Sequence, residues 1–207
     1  MRVSNGGYEV ESRMAEINGK PQRIAPIPEA DLTDEMRQIA RDLRVAFGIP
    51  EDGVIPEVLR TMLVHPGLFT VQMDMGKQLA GAGAISARDR EIAVLRNAWL
   101  MGAPYEWGEH VDIGKRYGMS AEEVARTIEG STAAGWTEHE AAICRGVEEL
   151  RGDSMISDET WATLAKTWND EQMMEFPILV GQYTSTAYLQ NSVRVNLASD
   201  NPGLSHR

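Results

Sequence analysis

Thiols are nearly absent from this chain: Cys144 is the one cysteine in 207 residues. A single thiol can neither close an internal disulfide nor work as a redox dithiol, and cysteine this sparse fits a reducing compartment. Basic residues are also in short supply. Lys and Arg number 20 against 31 Asp and Glu, a net charge of −11, which argues against a nucleic-acid backbone or an anionic membrane as partner. A small anionic substrate stays compatible, because the charge of a pocket can oppose that of the whole.

Long apolar runs are missing. Nothing approaches the roughly 18 residues of a membrane span, and the opening MRVSNGGYEVESRM lacks the apolar stretch of a signal peptide. The expectation is a soluble cytoplasmic protein. Also missing are β-branched alternation of strand length, internal repeats, a phosphate-binding glycine loop, His-x-x-x-His and Glu-x-x-His. What remains is helical periodicity. The expected class is all-α, in a chain long enough for one domain with a sizeable core.

Hydrophobic spacing and capping signals lay out the expected helices. Residues 1–21 are polar and Gly-containing and are expected to form an extended arm, and prolines at 21, 26 and 28 stiffen the connector there. Thr33–Asp34 opens a helix with Met36, Ile39, Ala40 and Leu43 at 3–4 spacing. FGIPEDGVIP (47–56) reads as a loop, and Pro56 opens a helix that His65–Pro66 ends. The next helix, 67–80, has Leu68, Val71, Met75 and Leu79 on one face. Ser86…Asp89, Ser120…Glu123 and Thr137…Glu140 have capping-box spacing. Ser157 and Asp158 cap a short helix, and Asp170 begins the longest one, about 170–198, which Pro177 should kink or break. A helical domain over 22–198 and a C-terminal tail over 199–207 complete the layout.

Most of the chemistry lies in SARDREIAVLRNAWLMGAPYEWGEHVDIGKRYG, residues 86–118. It reads as two helices broken at Gly102-Ala103-Pro104, with Pro104 suited to the first helical position. Glu91 lies on the first helix; Tyr105, Glu106, Trp107 and His110 lie on the second. Ala103, Glu106 and His110 share one stripe. Imidazole takes and returns protons near neutral pH, and Glu106, four residues ahead of His110, is at the right distance to orient the ring. Glu91 has two readings: an i−3 pair with Arg88 on a solvated face, or a buried carboxylate beside His110. Two carboxylates around one imidazole would raise each other's pKa. The plainer readings are a His110 held at a helix interface, a surface ion pair for Glu106 and core packing for Trp107 and Cys144. His139 and His206 read as surface residues.

Glu91, the twelve-residue step to Ala103, then Glu106 and His110 resemble the motif of the carboxymuconolactone decarboxylase superfamily, which includes an alkyl hydroperoxidase D-like branch. The peroxidase pattern there is Glu, a Cys twelve positions on, a second Cys three further and a His four beyond. Glu91 and His110 match it, while Ala103 and Glu106 occupy the cysteine positions. RIAPIP (Arg23–Pro28), Arg60…His65-Pro66, GMSAEEV (Gly118–Val124), WTEHEAAICRGVEEL and EQMMEFPILVGQYTSTAYLQNSVRV look like the same group, so the resemblance spans about 22–198. Some members carry a histidine where this chain has Gln182 to Thr184. The resemblance implies that family's helical fold and a homo-oligomer, whether dimer, trimer or hexamer. It also implies Glu91, Glu106 and His110 turned toward a pocket, with Arg60 and His65 near it.

The expected activity is that of a cofactor-free lyase or isomerase of the decarboxylase branch, acting on a small unsaturated lactone or aromatic ring-cleavage acid. His110, Glu106 and Glu91 would carry the chemistry. Tyr105, Trp107, Gln182 with Tyr183, and His65 would contact substrate. No metal or cofactor is expected. One rival is a non-catalytic ligand-binding or assembly protein on the same fold, with Ala103 and Glu106 marking an emptied site. The other is a peroxide-reducing enzyme, whose chemistry needs a low-pKa thiolate and a resolving thiol that neither position supplies.

Overall fold

Short polar signals begin most helices of this chain where the sequence places them. The computed structural model describes residues 7–46 and 54–207, so residues 47–53 of the expected loop lie outside it. Ten α-helices and no strand occur among the described residues: α1 (Val10–Ile17), α2 (Asp34–Ala46), α3 (Glu57–Met62), α4 (Pro66–Gly81), α5 (Ala87–Met101), α6 (Pro104–Arg116), α7 (Ala121–Glu129), α8 (Glu138–Asp153), α9 (Asp158–Leu164) and α10 (Asp170–Val193). Ser120–Glu123 and Thr137–Glu140 form reciprocal capping boxes on α7 and α8. Ser86 and Ser157 cap α5 and α9 through one hydroxyl each. Among the described residues, no helix is long and apolar enough to cross a membrane.

Three expectations need correction. The arm over 1–21 is not extended where it is described, because Val10–Ile17 is helical. It is held by tertiary bonds, Tyr8 Oη to the Trp99 carbonyl at 2.6 Å and Arg13 Nε to the Gly102 carbonyl at 3.0 Å. Pro177 does not break α10, which stays helical on both sides of it. Packing of α10 along α5 and α4 outweighs the roughly 3 kcal/mol that an interior proline costs. The helix then ends at Val193 rather than 198, where Arg194 turns left-handed at φ 61°.

The hub is α5. It is buried on every side from Arg90 to Met101 and is surrounded by α6, α7, α8 and α10. Ile92, Leu95, Ala98 and Trp99 join Trp107, Val111, Ile143, Phe176 and Leu179 in the main core. A smaller core of Leu32, Leu43, Ile55, Leu63 and Phe69 lies under the N-terminal helices. Four polar residues ride inside α5, namely Arg90, Glu91, Arg96 and Asn97. Buried charge must be paired: Arg96 meets Glu148 at 2.9 Å and the carbonyls of Thr127 and Ile128 at 3.1 and 2.8 Å.

The tail over 199–207 docks on α6. Leu204 is fully buried, and Asn201 Nδ2 donates to the Tyr105 carbonyl at 3.1 Å and to Glu109 at 2.8 Å. Gly108 permits this approach, since a Cβ there would fall 1.7 Å from Asn201 Oδ1.

Candidate active site

The α5–α6 turn builds the site. Gly102 adopts the left-handed backbone at φ 51°, and Pro104 starts α6, which follows the usual preferences for helix ends and starts. The turn lays α6 back along α5 and brings His110 over Glu91. His110 Nδ1 lies 2.6 Å from Glu91 Oε2, a charge-assisted distance. Glu91 Oε1 accepts from Arg90 Nε at 3.0 Å, and Arg90 also donates to the Ala80 carbonyl at 3.0 Å. The alternative pair with Arg88 is not made, because Arg88 turns to Glu123 and Glu140.

The Glu91 side chain is 1% exposed and that of His110 12%, so the carboxylate is closed off from solvent while part of the imidazole is not. Burial pushes the Glu91 carboxyl up, but the His110 ring and the Arg90 guanidinium outweigh it and hold the group below the ordinary carboxylate range. An ionised carboxylate only accepts hydrogen bonds, so Nδ1 is the donor. Nε2 is then the ring nitrogen that Glu91 does not engage.

Glu106 stands in the opposite state. It is 2% exposed, and neither of its oxygens has a hydrogen-bond partner. Burial pushes its pKa well above the ordinary range, opposed to a smaller extent by the neighbouring Asn97, which favours the neutral acid. The Asn97 amide nitrogen is also buried without a partner of hydrogen-bond geometry, while its oxygen accepts from Thr184 Oγ1 at 3.0 Å. Glu106 therefore does not orient His110. The two carboxyls do not raise each other, as their spacing implied; tertiary burial and partners drive them apart.

Tyr183 of α10 completes the cluster. Its ring meets His110 edge-on, with centroids 5.0 Å apart at 88°. Burial raises its phenol pKa, and Glu91 and Glu106 add to the shift. A signal for Tyr183 exists in the sequence: Phe176, Val180, Tyr183 and Ala187 recur at 3–4 spacing along the inward face of α10.

The other expected substrate contacts lie elsewhere. Tyr105, one residue before Glu106 and hence about 100° around the helix, lines a separate cavity of about 370 Å³ with Leu59, Met73 and Asn201. Trp107 is a core residue, with no exposure, its indole N–H on the His206 carbonyl at 3.1 Å and its ring 5.0 Å from that of Trp99. Gln182 spans to the Gln72 carbonyl at 3.1 Å. His65 is an exposed cap of α4, its Nδ1 accepting from the Leu68 N–H at 3.3 Å, and Arg60 ties down the Ile27 and Ile55 carbonyls. Cys144 is fully buried, which pushes its thiol up to about 12. Among the described residues no group of three or more His, Cys, Asp or Glu is placed to hold a metal ion.

Residues 66–149, which contain Glu91, Glu106 and His110, match the model of the carboxymuconolactone decarboxylase family. No curated protein matches the chain. Among solved structures, an uncharacterised peroxidase-related protein from Silicibacter sp. TM1040 is 14% identical with a TM-score of 0.72, over 88% of this chain and 96% of that one. A debrominase, Bmp8, solved as a cysteine-to-alanine variant with 2,3,4-tribromopyrrole, is 16% identical with a TM-score of 0.69, over 87% and 94%. A protein of unknown function from Agrobacterium tumefaciens, provisionally assigned as the antioxidant defence protein AhpD, is 17% identical with a TM-score of 0.60, over 65% and 93%. At these identities the likeness is one of fold. The helices that hold Glu91, Glu106 and His110 thus lie within the stretch that matches the carboxymuconolactone decarboxylase family model, and the chain shares its all-α fold with these AhpD-like neighbours.

Proposed function

We propose that this protein is a cofactor-free proton-transfer enzyme, a lyase or isomerase acting on a small unsaturated lactone or ring-cleavage acid. The observation that carries this reading is the 2.6 Å pair of Glu91 and His110 beside Glu106, a buried carboxyl that no hydrogen bond satisfies. In a decarboxylation, the electron pair of the breaking C–CO2 bond enters the conjugated carbonyl, and charge gathers on its oxygen. Glu106, as a neutral acid, donates a hydrogen bond to that oxygen. His110, its Nδ1 held by Glu91, delivers an Nε2 proton to carbon and regains one from water. An isomerase would use the same groups: neutral His110 takes a proton from one carbon and returns it to another. A positioned acid of this kind is worth about 10²–10⁴ in rate. Tyr183 limits the tilt of the His110 ring.

Two further observations support this reading over its rivals. The neighbouring Bmp8 fold is solved with a small unsaturated heterocycle, tribromopyrrole. A thiol-based peroxidase gains no support, because Cys144 is the one cysteine and its buried thiol resists ionisation. A reducing cytoplasm and a homo-oligomeric state belong to the same proposal.

The test incubates the protein with carboxymuconolactone and related unsaturated lactone acids in D2O, following CO2 release and deuterium at carbon by NMR. His110→Gln should lower turnover by about 10²–10⁴ with unchanged helical circular dichroism. A His110→Gln variant at the wild-type rate, or neither product nor deuterium from any compound, overturns the reading.

A further inference from the structure

We infer that a second copy of this chain packs on the outer face of α10, antiparallel to it, about a twofold axis at Gly181. The inference rests on the self-association proposed above and names the face that mediates it.

Along α10, Met174, Ile178, Gly181, Ser185 and Tyr188 recur at spacings of 4, 3, 4 and 3, and all five are exposed. This is the seam of a helix that packs on another helix, and among the described residues no element covers it. The opposite face of the same helix carries Tyr183 to His110. On the neighbouring helix, Leu68, Val71 and Met75 of α4 form a second exposed stripe. Gln72 bonds α4 to Thr186 and Gln182 of α10, at 3.1 Å each, so the two stripes lie side by side. Their six large side chains are 43–73% exposed. Together they offer on the order of 700 Å², close to the roughly 800 Å² that each partner contributes to a standard stable interface.

Gly181 indicates the arrangement. A glycine inside a helix costs about 1 kcal/mol relative to alanine, and here nothing lies within 4 Å of where its Cβ would sit. No contact among the described residues requires it, whereas the close approach of a second backbone would. Met174 and Tyr188 stand seven residues to either side of Gly181. An antiparallel pair sets Met174 of one copy beside Tyr188 of the other, and Ile178 beside the small Ser185. It also keeps the acidic first turns, with Asp170 and Glu171, at opposite ends. A parallel pair would stack like on like and bring those acidic turns together. Self-complementarity about one point is what a twofold interface needs.

The test is cysteine cross-linking, for which buried Cys144 serves as an unreactive background. Mild oxidation of Gly181→Cys should give a covalent dimer in high yield, because a residue on the axis meets its own copy. Met174→Cys and Tyr188→Cys should each cross-link poorly alone and form a mixed dimer when combined. Sedimentation of the parent at micromolar concentration is run alongside. A monomeric parent overturns both self-association and this interface. An oligomeric parent whose Gly181→Cys form does not cross-link overturns the interface alone. Efficient self-linking of Met174→Cys and of Tyr188→Cys overturns the antiparallel arrangement.

Discussion

Glu91 and Glu106 are the same residue type in one small cluster, and their surroundings give them opposite effects on stability. The folded pKa of Glu91 is depressed by His110 and Arg90, against its own burial. Its contribution is therefore present above about 4.3, the unfolded value, and is lost as pH falls through the lower folded value. Glu91→Gln should be less stable than the parent at pH 6 and lose less stability between pH 5 and 3, read from urea midpoints. Glu106 has a raised folded pKa, so the folded state holds a proton that the unfolded chain releases. Its effect is a loss of stability as pH rises above the unfolded value toward the folded one. Glu106→Gln should therefore melt at a higher temperature than the parent at pH 8, while turnover falls because the acid donor is gone. Such a trade of stability for activity is common where a site keeps an unfavourable group. An unchanged or lower melting temperature at pH 8 would count against a neutral, unpartnered Glu106.

At the scale of elements, the capping residues also join helices. Glu123 and Glu140 are the third residues of the boxes on α7 and α8, and both also receive Arg88 from the first turn of α5, Glu140 at 2.9 Å. One guanidinium thus gathers three helix starts. Thr137→Ala removes one cap and should cost about 1 kcal/mol, a fall in melting temperature of roughly 2–4 °C for a chain of this size. Arg88 is about one-third exposed, so Arg88→Ala should cost on the order of 1 kcal/mol by solvent-screened pairing. Because they share Glu140, the two changes should combine to less than the sum of their separate effects, which a double-mutant cycle measures. These caps were legible in the sequence as Ser or Thr three residues before Glu. Arg88 as their common partner was not, since 35 and 52 residues separate it from the two glutamates.

At the scale of the molecule, α6 is held from two sides. Its inner face meets α5 and α10 at the site, and the C-terminal segment covers another face through Asn201, Leu204 and His206. Gly108→Ala would drive a methyl group into Asn201, so it should cost about 1–3 kcal/mol through overpacking and lower turnover by shifting the helix that carries Glu106 and His110. Loss of stability without loss of turnover would show that the docked tail supports the fold alone. Cooperation between distant segments also explains α1. Its residues are too polar to announce a helix, and Tyr8 and Arg13 anchor it to the end of α5.

By itself the amino-acid order determined the all-α class, most helix starts, the Gly102–Pro104 turn and the stripe shared by Glu106 and His110. These are local matters, decided by caps and spacings within four or so residues. Only the tertiary structure decided that Glu91 and not Glu106 holds the imidazole, and that Tyr183 and not Gln182 meets it. It also set Tyr105 on a separate cavity, Trp107 in the core and His65 at an exposed helix cap. Partner choice and ionisation depend on which distant helix removes water from a side chain, and on what charge it brings in return. One hundred degrees of rotation per residue is enough to send neighbours in sequence to different parts of the molecule.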